Sequence, residues 1–433
     1  MSNNSSNSKS GNSSNSYSDY NRNSSSNGDI GKATERAPVP QADLHTYYGD
    51  FHIHIGRTSR QEPVKISASR NLTFEAIAKE AAERKGLHLI GVIDAHAPGV
   101  LRDIEELLDA GEMEELPEGG IRYQQTTVLL GTELEIREPG RGAAHVLCYL
   151  PSLAAMKRFS AWLTPHITNM TLSTQRVYVS GRALQAETIA HGGLFIPAHI
   201  FTPHKSVYGN CADKLADVLD VELIDAVELG LSADSDMAGL LSELDRYTWL
   251  TNSDAHSLAK IAREYNALQL AAPTFQEWAL AVHRQHGRHV SANYGLNPRL
   301  GKYHRTSCTL CFSIHTSGST AGVCEHCGSS KFVRGVLDRI EQIADRSLPH
   351  RVEHRPPYIH QFPLEYIPGV GPKTYNRLLA HFGTEMAVLH NATLQQLTEV
   401  VGEKTAVLID KARRGDLELQ SGGGGIYGKV LST

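Results

Sequence analysis

The chain's 433 residues, 40% hydrophobic and 21% charged, mark an ordinary globular protein with room for two or three domains and at least one sizeable core. No apolar run approaches the roughly 18 residues of a membrane span, and no charged-then-apolar leader opens the sequence, which argues against a membrane protein and predicts a cytoplasmic address. The formal net charge of -5 does not announce a nucleic-acid binder, although bulk charge is a weak test where bound divalent cations offset clustered acids.

Residues 1–36 are Ser, Asn and Gly with scattered charges, too poor in apolar surface to offset their ordering entropy, and are expected as a disordered tail. From Asp43 the texture changes. Asp50-Phe51-His52-Ile53-His54 reads as a strand. Thr73 caps a helix whose apolar face carries Phe74, Ile77, Ala78 and Ala81, closed by Gly86. Leu87–Asp94 reads as a strand buried on both faces. Further strands are predicted at Thr127–Glu135, His145–Leu150, Leu194–His199, Ala226–Glu228 and Thr248–Asn252, with helices near Arg182–His191, Cys211–Leu219 and Met237–Tyr247. This β-then-α rhythm predicts one α/β barrel over residues 43–298.

After Pro298 the organisation changes twice. Residues 301–335 hold four of the six cysteines, as Cys308-x2-Cys311-x12-Cys324-x2-Cys327. That spacing predicts tetrahedral structural zinc, and four thiolates leave no open position for catalysis. Lys331 and Arg334 follow closely and are candidates to touch phosphate. Residues 349–363, rich in Pro, His and Arg, read as a linker, residues 364–415 as helices with glycine turns, and 416–433 as a C-terminal tail with a flexible Gly422–Gly425. In the helical part, Gly369 and Gly371 permit a tight turn that exposes backbone N–H groups at the next helix's start, a phosphate site to which Lys373, Thr374 and Arg377 would add contacts. The segment resembles a helix-hairpin-helix, a non-specific DNA-backbone element, with a second, degenerate copy at Val400–Thr405.

Within the barrel, metal-ligating residue types recur where predicted strands end. His52 and His54 alternate, so they share a face. Asp94, His96, Glu133, His145, His199, Glu228, Asp254 and His256 follow at later strand ends. The carboxyl ends of barrel strands converge on one mouth, so these side chains are expected to meet in space. Mixed N and O ligands suit two or three ions of Zn, Mn, Fe or Mg, with Glu133 as a bridge. Such ions generate hydroxide near neutral pH and grip both oxygens of a phosphoester undergoing displacement.

The order His52-Ile53-His54, Asp94-Ala95-His96, Gly131-Thr132-Glu133, His145, Pro197-Ala198-His199 and Ser253-Asp254-Ala255-His256 resembles the polymerase-and-histidinol-phosphatase (PHP) family. The resemblance implies a distorted seven-stranded β/α barrel with a three-metal centre. It implies His52, His54, Glu133 and Asp254 around one ion, with Glu133, His145 and His199 around another. A third would take His256 with Asp94 or His96. Two departures stand out: Gly56-Arg57-Thr58-Ser59-Arg60 lacks the usual third ligand after HxH, and the usual adjacent Asp-His is spread to Asp94-Ala95-His96.

The barrel, the four-cysteine module and the C-terminal all-α helix-hairpin-helix, in this order over about residues 43–428, resemble the endonuclease Q family. The resemblance implies a metal-dependent DNA repair endonuclease. It would cut 5′ of deaminated bases (hypoxanthine, uracil, xanthine) and abasic sites in double- or single-stranded DNA, with His52, His54, Glu133 and Asp254 as catalytic ligands. Two rival readings are a small-molecule phosphomonoesterase and a DNA-binding accessory protein whose barrel is not catalytic.

Overall fold

The structure, a computed structural model, describes residues 43–315 and 322–431. The expected disordered tail, 1–36, lies outside the described residues. The strands are β1 (His45–Ile53), β2 (Leu89–Val92), β3 (Glu114–Glu115), β4 (Ile121–Tyr123), β5 (Thr126–Ile136), β6 (Ala144–Leu150), β7 (Leu194–Pro197), β8 (Ala226–Glu228), β9 (Thr248–Leu250), β10 (Tyr265–Leu270), β11 (His289–Gly295), β12 (Ser307–Cys308), β13 (Phe332–Val333), β14 (Tyr358–His360), β15 (Leu419–Gln420) and β16 (Lys429–Val430). The helices are α1 (Phe74–Lys79), α2 (Pro98–Asp109), α3 (Leu153–Leu163), α4 (Gly181–Ala190), α5 (Ser235–Ala238), α6 (Phe275–Val282), α7 (Val336–Ile343), α8 (Pro372–Phe382), α9 (Leu394–Val401) and α10 (Glu403–Arg414).

The fold is mixed α/β around one large sheet of order β14-β11-β10-β1-β2-β5-β4-β3, which continues from β5 through β6 to β7. β1, β2 and β5 are parallel; β6 and β7 return antiparallel. β8 and β9 form a separate parallel pair. Backbone bonds reach it from both sides. Asp225 N donates to Phe195 O at 3.1 Å and Ile200 N to Glu228 O at 2.9 Å, while His54 N and Ala255 N exchange bonds with Ala255 O and His52 O at 3.0 and 3.1 Å. Between β9 and β1, side chains stand in for a ladder: Asn252 accepts from Phe51 N at 3.0 Å, and Asp50 accepts from Ser253 N and Ala262 N at 3.0 and 2.9 Å. A buried apolar cluster gathers Phe51, Leu89, Leu129, Leu147, Ile196, Ala226 and Leu250, with Trp278 of α6 packed into it. Each contributing strand of that cluster turns its alternate residues inward.

The helix at Thr73 is observed: Thr73 Oγ1 accepts from Ala76 N at 3.2 Å, and Gly86 ends the helical run at φ 78°. The helices expected at Cys211–Leu219 and Met237–Tyr247 are instead single turns, because distant side chains capture the backbone groups a helix needs. Leu215 N donates to Glu243 at 3.3 Å and Ser242 N to Asp345 at 2.9 Å. The sequence reading did not anticipate α2, α3, α6, α7, β3, β4, β10, β11 or β14. β14, inside the expected linker, pairs in parallel with β11. Gly422–Gly425, expected to be flexible, turns the β15–β16 hairpin, whose Gly422 N and Gly428 N donate to Arg299 O and Leu300 O at 2.7 and 2.9 Å. No helix among the described residues is long and apolar enough to cross a membrane.

From Asp43 onward the chain forms one unit. A buried ion pair joins the C-terminal helices to the residues just after α1. Lys85 Nζ lies 2.6 Å from Glu385 Oε2, with side chains 4% and 1% exposed, and Glu385 also accepts from Tyr375 Oη at 2.9 Å and Leu364 N at 3.2 Å. Removing one member of a buried pair typically costs 3–5 kcal/mol, because the other charge is left uncompensated. Lys85→Met is therefore expected to lower stability by about that amount, and Lys85→Met/Glu385→Leu by less. Thermal melts of both variants test this, and a single variant no weaker than the double contradicts it.

Candidate metal centre

β1 and the residue after it deliver His52 and His54 to one face; β5 and β6 carry Glu133 and His145, and the segments after β7 and β9 bring His199 and Asp254 to meet them. Two groups of possible ligands result, His52–His54–Asp254 and Glu133–His145–His199, each with one ligand atom per residue lying within 4.8 Å of the others. Glu133 links the two. Its Oε1 lies 2.8 Å from His145 Nδ1, 3.2 Å from His199 Nε2 and 3.6 Å from His52 Nε2; its Oε2 lies 3.6 Å from His54 Nε2. Asp254 Oδ1 lies 3.5 Å from His52 Nε2 and 3.4 Å from His54 Nε2. The four separations of 3.4–3.6 Å are long for hydrogen bonds but match the edge of a tetrahedron, about 3.4 Å when ligands sit about 2.1 Å from an ion. His52 Nε2 is buried with no hydrogen-bond partner. This donor set fits divalent ions.

Three of the four imidazoles, those of His52, His54 and His199, are aimed by a polar neighbour on the other nitrogen, as metal-bound histidines usually are. His52 Nδ1 meets Glu228 Oε2 at 2.9 Å, His54 Nδ1 meets Asp94 Oδ2 at 3.1 Å, and His199 Nδ1 meets Thr202 Oγ1 at 3.1 Å. His199 and Asp254 are non-glycine residues at φ 30° and 44°. Such left-handed residues cost energy and gather at functional sites. Opposite Cβ of His199 stands Gly230, whose own Cβ would come within 2.8 Å of it.

The charges follow the geometry. Against the cost of burial, His145 and Lys65 hold the Glu133 carboxyl well below the usual carboxylate range, and His52 and His54 do the same for Asp254. Glu228 and Asp254 raise His52 to about 10 against burial, so a proton can be held there in place of a cation. Burial pushes His96 down to about 4.

The third expected ligand set does not assemble. Asp94 is engaged by His54 and by Ile55 N at 2.7 Å, and His96 Nδ1 by Thr132 Oγ1 at 2.6 Å. His256, 34% exposed, stands beside Asp254 with its Nδ1 3.5 Å from Oδ1. Among the described residues no third ion group forms in the barrel. Sequence reasoning passed over Lys65 and Thr174, both on Glu133 Oε2 at 3.3 and 2.6 Å. Neither lies in a ligand motif; their only sequence signal is that they are polar residues in loops.

The four cysteines also gather: Cys308 Sγ lies 3.6 Å from Cys327 Sγ, and Cys311 Sγ 3.5 Å from Cys324 Sγ. These spacings are far from a disulfide's 2.05 Å and near the edge of about 3.8 Å for a tetrahedral zinc with 2.3 Å bonds. The two halves have matching turns. Phe312 N donates to Cys308 O at 3.1 Å and Gly328 N to Cys324 O at 2.7 Å, with Phe312 and Gly328 both left-handed at φ 63° and 72°.

No family model matches the chain. The uncharacterized protein YqxK of Bacillus subtilis is 53% identical over 88% of this chain and 98% of its own length. Among solved structures, the lesion-specific endonuclease PfuEndoQ of Pyrococcus furiosus is 31% identical, with TM-score 0.78 over 89% of this chain and 95% of that one. The chain belongs to the endonuclease Q family. A second endonuclease Q, in complex with a 27-mer duplex substrate that has an abasic lesion at the active site, superposes with TM-score 0.77 and 31% identity over 90% of this chain and 97% of that one. The likeness to endonuclease Q thus takes in about nine tenths of this chain and nearly all of each of those two.

Cys324→Ser is expected to remove one bound ion per chain while leaving the barrel's ions in place. Elemental analysis of purified protein reads this directly, and unchanged content would show that the four sulfurs hold no ion.

Proposed function

We propose that this chain is a metal-dependent DNA repair endonuclease that hydrolyses the phosphodiester on the 5′ side of deaminated bases (hypoxanthine, uracil, xanthine) and abasic sites. The observation that carries this reading is the full-length likeness to endonuclease Q, one example of which holds abasic duplex at its active site. The paired carboxylate–imidazole groups that Glu133 links supply the matching chemistry. His52, His54 and Asp254 would hold one ion and Glu133, His145 and His199 a second, and bound ions would supply activated water and grip on the phosphate. A water oxygen then replaces one ester oxygen at phosphorus, and one proton of that water ends on the departing oxygen. Two buried ions suit Zn, Mn, Fe or Mg, and the sulfur cluster suits zinc.

β1, β2, β5, β6, β7, β8 and β9 read as a distorted seven-stranded ring of PHP type. The backbone bonds joining β8 to β7 and the segment after β9 to β1 support this, as does the apolar cluster drawn from the alternate residues of these strands. Residues 43–298 then form the catalytic part, and 301–335 and 364–415 the parts that grip DNA, in a cytoplasmic enzyme. In the helix-hairpin-helix reading, Gly369 at φ 88° turns the chain into α8, whose first residues leave Gly371 and Lys373 exposed, with Arg377 one turn on and Thr374 half-buried. A helix N-terminus and nearby cations suit a phosphate without reading a base. Gly402 makes a like turn into α10, and a Cβ on Gly369 would lie 3.7 Å from Thr405 Oγ1, so the two turns stand side by side. A damaged base stacks and pairs poorly, so extruding it costs less than extruding a normal one.

End-labelled duplexes carrying hypoxanthine, uracil, xanthine, an abasic site or no lesion test the reading. Nicking 5′ of the lesion is expected with divalent metal and none after chelation. Asp254→Asn should slow nicking by more than the roughly 10–100-fold that loss of a merely orienting partner costs. Hydrolysis of a simple phosphomonoester without nicking would favour the phosphatase reading, and metal-independent nicking would refute the mechanism.

A further inference from the structure

The two oxygens of Glu133 keep different company. Oε1 is surrounded by three imidazoles, of His145, His199 and His52. Oε2 faces one imidazole, of His54, and two groups that are not metal ligands of the usual kind: the Lys65 ammonium at 3.3 Å and the Thr174 hydroxyl at 2.6 Å. Lys65 is 15% exposed, and Glu133 is the carboxylate that it pairs with among the described residues.

The placement is held from several sides. The loop leaving β1 doubles back, with Val64 N on Gly56 O at 3.0 Å and Lys65 N on Ile55 O at 2.9 Å. Ser173 N donates to Val64 O at 3.0 Å, joining this loop to the one that carries Thr174. A Cβ on Gly56 would stand 2.0 Å from Ser69 O, so only glycine fits where the loop turns. Thr174 also bonds to Lys65, and it does so at φ 53°, a left-handed conformation that a β-branched residue rarely adopts. Strain of that kind persists where the surroundings impose it, commonly at functional sites. It lies on the same carboxylate oxygen at which ligands for a further ion are missing, since Asp94 and His96 are engaged elsewhere.

We propose that Lys65 is a catalytic residue whose ammonium occupies the place of a third cation beside Glu133 and meets a non-bridging oxygen of the scissile phosphate. The phosphate contact rests on the endonuclease reading; the exclusion of a third ion does not. An ammonium is a compact point charge with three donors, so it can hold Glu133 and Thr174 and still reach a phosphate oxygen. Charge that grows on that oxygen in the transition state is then met by a donor already in position.

Two arms test this on the full-length metal-loaded protein. In the first, elemental analysis counts ions per chain. Wild type and Lys65→Met should hold the same number, two in the barrel and one on the cysteines. Lys65→Glu, which supplies an acid in place of the cation, should hold one more. A third barrel ion in the wild type, loss of ions from Lys65→Met, or no gain in Lys65→Glu overturns the proposal. In the second arm, single-turnover nicking of an abasic duplex should fall about 10²–10³-fold in Lys65→Met, with duplex affinity little changed and partial recovery in Lys65→Arg. Sulfur replacing one non-bridging oxygen at the cleaved phosphate should slow the wild type more than Lys65→Met. Equal sulfur effects would leave Lys65 as a holder of Glu133 and overturn the phosphate contact. A wild type that nicks no lesion duplex defeats the endonuclease reading and the phosphate contact with it, while the ion count still decides whether Lys65 excludes a third ion.

Discussion

Glu133 and Asp254 carry their charge in a floor where little water reaches Glu133, and everything around them answers to that fact. Moving an ionised carboxylate out of water costs several kcal/mol even after relaxation, so such groups stand only where cations or donors surround them. Here the answer is five imidazoles, a lysine and a threonine hydroxyl, drawn from several strands and from the loops beside them. Outside them, Glu228, Asp94 and Thr202 fix which ring nitrogen faces inward. The left-handed backbones of His199, Asp254 and Thr174 have a common setting: His199 and Thr174 carry their side chains to Glu133, and Asp254 carries its own to His52 and His54.

The C-terminal third is attached to the rest of the chain by many specific contacts. Besides the Lys85–Glu385 pair, His390 stacks on Tyr48 of β1 with ring centroids 4.3 Å apart, and the Arg355 guanidinium lies 3.2 Å from the centre of the Trp249 ring. Burial pushes His390 down to about 4, in keeping with a neutral ring wedged among tyrosines. His390 and Arg355 are therefore seated against β1 and β9, strands that also lead to the ligand residues.

The site was more legible than the fold. β1, β5, β6, β7 and β8 announced themselves through period-two patterns and buried runs, and their ends marked His52, His54, Glu133, His145 and His199. β10 and β11 did not, because Asn266 and Asn293 occupy fully buried positions where an apolar residue is expected. Their side chains serve the backbone: Asn266 Oδ1 accepts from Thr251 N at 3.0 Å, and Asn293 Nδ2 donates to Trp249 O at 3.0 Å. Such a role is set by three-dimensional neighbours, and no local pattern reports it. The same reason explains Asp94 and His96. Their residue types suit ligands, but the partner that each meets is fixed by strands 40 and 36 residues away in the chain. The failed helices at Cys211–Leu219 and Met237–Tyr247 show tertiary hydrogen bonds overriding local propensity.

β1 sits in the middle of the sheet although it comes first among the described strands, and its outer neighbour is β10, with His45 opposite Leu270. Asp50 and Phe51, just before the paired histidines, depend on Ser253, Ala262 and Asn252. On a ribosome adding roughly 5–20 residues per second, the strand carrying His52 and His54 emerges on the order of ten to forty-five seconds before its partner. Until then the β1 edge that faces β10 stands open to other chains, and for nearly as long the two neighbouring imidazoles lack Asp254 to complete their group. Placing the first ligands on the central strand makes assembly of the ion floor one of the last events of folding, coupled to near-completion of the chain.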